Sequence, residues 1–176
     1  MEDFPEDLVA GAAPPEVDTL DEPAEEMPAG MERRLVLRLL LYWRKICGER
    51  DYPSFQDVDP SAIPSIWPNA FVLEVAWPSE ESVYRIAGPD YAADCDQPLV
   101  GMKISQAPEN SLVGKSVTYI DEVLEKGVPI TRGGEFFRDN GVKVLYRSIL
   151  LPMSDYGETI SGLLGAANCR EVADAE

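Results

Sequence analysis

The stretch GVPITRGGEFFRDNGVKVLYRSILLPMSDYGETISGLLGAA, residues 127–167, decides the fold. It reads as three consecutive strands, Ile130 to Phe137, Gly141 to Met153 and Thr159 to Ala167, joined by two tight turns. The first turn is Asp139-Asn140-Gly141 and the second is Ser154-Asp155-Tyr156-Gly157. Asn-Gly suits a hairpin turn because both central residues of such a turn need positive φ. In the middle strand Val142, Val144, Tyr146, Ser148 and Leu150 share one face. Lys143, Leu145, Arg147, Ile149 and Leu151 share the other. Both faces turn apolar toward the strand's end, so this antiparallel meander needs cover on both sides.

Working back toward the N-terminus, Val113, Val117, Ile120 and Leu124 recur at helical spacing and predict one helix from Asn110 to Lys126. Gly127 ends it and Pro129 prevents its continuation. Before it lie two strands, Ala70 to Trp77 and Ser82 to Ala87, with Pro78 to Glu81 as their turn. In the first, Phe71, Leu73, Val75 and Trp77 alternate with residues of the other face; in the second, Tyr84 and Ile86 alternate with Val83 and Arg85. The segment from Tyr91 to Ala107 is irregular. Asp59-Pro60-Ser61 reads as an N-cap followed by proline at the first helical position.

A further helix begins near Met31 and stops at Gly48. Leu35, Leu39, Tyr42 or Trp43, and Ile46 give it one apolar stripe, and Val36, Leu37, Leu40, Leu41 and Cys47 widen that stripe beyond a single face. A surface helix needs only one apolar face. This helix, from its own chain or a dimer mate, is expected to lie across the outside of the C-terminal strands, with dimer contacts through Leu35, Leu39, Leu40, Trp43 and Ile46.

Charge divides the chain. Residues 1–30 hold ten of its carboxylates, five prolines and no Lys or Arg, leaving only −7 of the net −17 for the remainder. Such a segment cannot bury a core and reads as a disordered acidic leader. The division expected is therefore a leader at 1–30, a helix at 31–50, a folded domain at 51–170 and a tail at 171–176. The acidity argues against nucleic-acid binding, which rests on Lys and Arg neutralising phosphates. No apolar run approaches the length needed to span a bilayer, so a cytoplasmic protein without a membrane partner is expected.

The chain contains no histidine. Ser-His-Asp and Cys-His catalysis, H-E-x-x-H metal sites and His-ligated haem are thereby excluded. Three dispersed cysteines, Cys47, Cys95 and Cys169, make neither a disulfide frame nor a zinc site. Cys95 stands between Asp94 and Asp96, surroundings that disfavour a reactive thiolate. Gly114-Lys115-Ser116 matches the end of a P-loop, but Glu109 occupies the position where that loop needs a glycine. No catalytic residue and no metal ligand is assigned.

At residue level the chain resembles the PAS domain family, in particular short stand-alone PAS-type proteins of alphaproteobacteria. The resemblance rests on Tyr42-Trp43 at a helix end, Asp57-Val58-Asp59-Pro60, Ile63-Pro64, Tyr84-Arg85-Ile86-Ala87-Gly88, Val100-Gly101, Gly127-Val128-Pro129, Leu150-Leu151-Pro152-Met153-Ser154 and Leu163-Leu164-Gly165-Ala166, in that order. It implies an α+β fold with a five-stranded antiparallel sheet in the order 2-1-5-4-3, helices on one face and an extra N-terminal helix. It implies a non-enzymatic sensory or regulatory module acting through dimerisation and contact with a signalling protein. The alternative is a primary small-molecule sensor, and a carboxylate-dependent enzyme ranks third. A ligand pocket would lie between sheet and helices, lined by Phe71, Leu73, Tyr84, Ile86, Tyr119, Val123 and Tyr146, with Arg85 and Arg147 as candidate anchors. Trp67, where the family usually shows leucine, would fill part of that space. Asn168-Cys169-Arg170 resembles the cysteine motif of flavin-binding PAS domains. It follows the last strand here, so neither a flavin adduct nor haem is expected, and any ligand is an unknown small molecule.

Overall fold

A computed structural model describes residues 31–172, and the side chains from residue 34 onward. The expected leader at 1–30 lies outside the described residues, as do the last four residues of the expected tail. Five strands form one antiparallel sheet: β1 (Ala70–Glu74), β2 (Val83–Ala87), β3 (Ile130–Phe137), β4 (Lys143–Met153) and β5 (Gly162–Glu171), in the order β2-β1-β5-β4-β3. The order and the number of strands are those the sequence implied.

The two faces of β4 separate two cores. Val144, Tyr146 and Leu150 face an inner cluster with Phe71, Leu73, Tyr84 and Leu163. Ile149, Leu151 and Met153 face an outer one with Ala70, Val72, Leu164 and Ala166. Helix α1 (Met31–Cys47) covers the outer face, contributing Leu35, Val36, Leu39, Trp43 and Cys47. Arg44 and Lys45 in its last turn complement the negative end of the helix dipole. The doubly apolar meander is thus covered outside by its own chain's helix.

The inner face is covered by α2 (Pro89–Ala92), α3 (Leu112–Lys115) and α4 (Ile120–Lys126). The single helix expected from Asn110 to Lys126 is therefore two short ones. Ser111 caps α3 by accepting the Gly114 N–H at 3.0 Å. The hydroxyls of Ser116 and Thr118 then donate to the carbonyls of Val113 and Lys115, at 3.0 and 3.1 Å. Hydroxyls bonding so close to their own backbone offer an alternative to the helical ladder, and the helix breaks there. Gly127, with φ of 68°, terminates α4 as expected.

Two other expectations are corrected. The first strand ends at Glu74, and Trp77, expected to share the face of Phe71, is 70% exposed. The hairpin after β3 is closed by the Gly141 N–H donating to the Arg138 carbonyl at 2.8 Å. Asp139 and Asn140 are then the central pair, and Gly141 supplies the positive φ, 89°, just after them. This is the longer turn-plus-αL-glycine loop and not a two-residue Asn-Gly turn.

Candidate functional site: the inner face of the sheet

β1, α2 and the break between α3 and α4 converge on a buried aromatic and hydroxyl cluster. The rings of Phe71 and Tyr91 stack with centroids 4.2 Å apart, and Tyr84 meets Phe71 edge-on at 5.8 Å. Gly165, paired with Phe71 across β5, leaves room for the ring: a Cβ there would lie closer than 3.0 Å to three of its atoms. The Tyr84 and Tyr91 hydroxyls are 2.8 Å apart, and the Tyr91 hydroxyl lies 2.8 Å from Ser116 Oγ. Further along the same face, Tyr119 and Ser148 share a hydroxyl–hydroxyl bond of 2.8 Å. Burial pushes the phenols of Tyr84, Tyr91 and Tyr119 above the usual tyrosine range, so they are neutral hydrogen-bonding groups.

Of the pocket candidates, Phe71, Leu73, Tyr84, Tyr119, Val123 and Tyr146 all belong to this inner cluster. Three do not reach it. Ile86 packs into the outer cluster although Tyr84, two residues earlier, is inside. The cause is a register shift between β1 and β2: Val72 opposes Ile86 while Leu73 opposes Tyr84, so β2 carries one extra residue and its alternation slips. Arg85 takes that extra place and lays its guanidinium over the Phe55 ring, 3.8 Å from the centroid. Arg147 is 1% exposed and sits on the outer face with the odd-numbered residues of β4. The ligand-anchoring roles expected for both arginines are therefore not roles in an inner pocket. Trp67 likewise packs against the outer cluster and fills no space inside.

Tyr91, Ser116 and Ser148 were not among the pocket candidates read from the sequence. Tyr91 lies in a segment without periodicity, and its place follows from α2 docking on the sheet. Ser148 was assigned to the inward face of its strand, and that position was the available signal.

At the rim, Arg138 pairs with Asp94 at 2.9 Å and with Glu171 at 3.2 Å. The other Asp94 oxygen accepts the Leu112 N–H at 2.6 Å, so one carboxylate joins the α2 region, the start of α3 and the end of β3. The bond to Asp94 raises the Arg138 pKa further. Cys169, expected to follow the last strand, lies within β5 against the inner cluster, because the strand runs on to Glu171, and burial pushes its thiol up to about 11. Burial raises Cys47, near the end of α1, to about 11 as well. Neither is poised as a nucleophile. Among the described residues no group of three or more Cys, Asp or Glu could hold a metal ion, and no helix is long and apolar enough to cross a membrane.

A family model for the PAS domain matches residues 31–168. The chain belongs to the PAS domain family. Solved structures similar to this PAS chain include a light-oxygen-voltage domain described with a flavin analogue, at 16% identity and a TM-score of 0.45, covering 65% of this chain and 84% of the other. A light-oxygen-voltage protein of Rhodobacter sphaeroides matches at 14% identity and a TM-score of 0.41, covering 67% and 70%. The dark structure of the Aureochrome1 blue-light photoreceptor domain matches at 15% identity and a TM-score of 0.44, covering 65% and 82%. No curated protein matches.

The dimer candidates divide. Leu35, Leu39 and Trp43 are buried against this chain's own sheet, and only Leu40 and Ile46 keep partial exposure. On the opposite side of α1, Leu41 is 62% exposed and Leu37, one turn before it, is half-buried.

Proposed function

We propose that this PAS chain is a sensory-type regulatory module that works by protein contact and without chemistry of its own, and that it dimerises through the outward side of α1. The observation that carries this reading is the packing of the inner face. Phe71 and Tyr91 stack where a core ligand would lie, and the hydroxyls of Tyr84, Tyr91, Tyr119, Ser116 and Ser148 bond to one another. Buried polar groups that are already paired offer little to an incoming ligand. The helix supports the second part: Leu41 and, one turn before it, Leu37 stay on the outward side after Leu35, Leu39 and Trp43 have packed on the sheet.

The test is oligomeric state against concentration, by sedimentation, for the wild type and for Leu41→Glu. Leu41 is exposed, so a charge there leaves the fold intact. The expected result is a concentration-dependent dimer that the substitution abolishes. Leu39→Glu would be uninformative, because that side chain is in the chain's own core. A wild type that stays monomeric at millimolar concentration overturns dimerisation. A small molecule retained in native mass spectra and lost on denaturation favours the ligand-sensor alternative.

A further inference from the structure

The two edges of the sheet differ. Along β2 the Tyr84 N–H donates to the Met102 carbonyl at 3.0 Å, and the N–H groups of Gly101 and Ile104 donate to the carbonyls of Tyr84 and Ser82, both at 2.8 Å. The segment 101–104 thus occupies that edge, with Val83 bridged to Lys103. Nothing among the described residues does the same for β3. The Arg138 N–H donates to the Val142 carbonyl at 2.9 Å, and the register runs unbroken from Phe137 opposite Lys143 to Ile130 opposite Leu150. Bonds in an antiparallel ladder join every second residue. Those from β3 to β4 therefore fall at Arg138 and at the even-numbered residues before it. The N–H and carbonyl groups of Gly133, Glu135 and Phe137 point to the open edge, where no described element bonds them.

Edge strands are commonly blocked by a proline, a bulge or a covering segment. β3 has none of these among the described residues, and its middle is the exposed pair Gly133-Gly134, which another backbone can approach closely. Phe136 faces the inner cluster, so Phe137 looks outward, and its ring is 52% exposed. A second copy of the same strand fits this edge poorly. Two-fold pairing centred on Gly134 or any earlier residue needs Thr131, whose carbonyl already accepts from the Arg132 guanidinium at 3.2 Å. Centred on Glu135, it sets the two copies' Glu135 carboxylates directly opposite each other, which is destabilising. Centred later, it runs off the end of the strand at Phe137.

We propose that β3 takes an extended segment of a different, signalling protein as a sixth strand, antiparallel like every other pair in the sheet. The segment's main chain bonds Gly133, Glu135 and Phe137. It carries an apolar side chain opposite Phe137 and, two residues away, a Lys or Arg opposite Glu135, which stays half exposed beside Lys143. The proposal rests on the reading that this chain acts by protein contact, and not on its dimerisation.

The experiment measures, by fluorescence anisotropy, binding of the labelled peptide Ser-Val-Thr-Lys-Thr-Val-Ser to the full chain. Its valines and lysine share one face, and in an antiparallel pairing that sets this face beside Glu135 and Phe137 they also turn their N–H groups to β3. Methylating those three N–H groups is expected to weaken binding at least about tenfold, the factor that one or two net hydrogen bonds supply. Methylating the two threonine N–H groups should change it by less than about twofold on the same arithmetic. Glu135→Pro removes one edge donor where an edge strand admits proline, and should weaken binding similarly. The methylated peptides leave the protein unaltered, so they decide the matter even if that variant fails to fold. Leu41→Glu should bind the peptide as the wild type does, which separates this proposal from the α1 dimer. Absence of saturable binding at millimolar peptide overturns it, as does an equal loss from both methylation patterns. So does a dimer of the Leu41→Glu chain that Glu135→Pro abolishes, which would assign the edge to a second copy.

Discussion

The indole N–H of Trp43 donates to the carbonyl of Pro152 at 2.8 Å, a buried bond between residues 109 positions apart. It joins the first helix to the longest strand and fixes how far along the sheet α1 sits. Trp43→Phe keeps most of the apolar area and removes the donor. The buried Pro152 carbonyl then loses its partner, a cost of about 1–2 kcal/mol. Urea unfolding followed by circular dichroism should show a lower midpoint with an unchanged slope. An unchanged midpoint would mean that the bond contributes nothing net.

The pair Phe71 and Gly165 tests how tightly the inner face is filled. Gly165→Ala places a methyl group against the Phe71 ring. Overpacking of this kind costs about 1–3 kcal/mol. Combining it with Phe71→Leu should recover part of that loss, giving a coupling energy of at least about 0.5 kcal/mol in a double-mutant cycle. Additive effects would show that the inner core yields, and would reopen the case for a ligand there.

Tyr119 and Ser148 carry the same question in polar form. Ser148→Ala leaves a buried phenol without its partner, at a cost of about 1–3 kcal/mol. Replacing both, with Tyr119→Phe added, removes the orphan and should cost less than Ser148→Ala alone. If the double variant is the less stable of the two, the hydroxyl pair is not acting as a closed unit.

Much of this was legible in the sequence, and the exceptions share a cause. The alternation of β4 is unbroken, so both its faces could be assigned residue by residue, from Val144 and Tyr146 inside to Ile149 and Leu151 outside. The doubly apolar end of β4 called for cover on its outer side, and α1 lies there, because burial needs follow from local spacing. Strand β2 failed where β4 succeeded. Its extra residue at Arg85 moves Ile86 to the opposite face, and a bulge depends on the partner strand's register. Tyr91 is the same kind of omission: a tyrosine in an aperiodic segment has no face until the tertiary structure gives it one. The helix break at Ser116 was readable in principle from two hydroxyl residues in one turn, but the regular stripe of Val113, Val117 and Ile120 masked it.

The buried phenols and thiols set a pH limit. Tyr84, Tyr91 and Tyr119 all have folded-state pKa values raised above 10.0, and Cys47 and Cys169 are raised from 9.0 to about 11. Burial disfavours the charged form of each, while the unfolded chain ionises at the ordinary values. A raised folded pKa means that the stabilisation is complete below the unfolded pKa and is lost as pH rises past it. Stability should therefore be level through neutrality and begin to fall near pH 9 as the two thiols ionise in the unfolded state. It should fall more steeply above pH 10, when these three phenols join, with Tyr52 and Tyr146, which burial also raises. Each group adds at most about 1.4 kcal/mol per pH unit to the slope. Denaturant midpoints measured from pH 7 to 11 give the curve, and phenolate absorbance gives the ionisation directly. The absorbance of these three tyrosines should rise together with unfolding and not before it. Phenolate absorbance from them in a chain that is still folded would show that the inner face admits water, contrary to the packing of Phe71 on Tyr91.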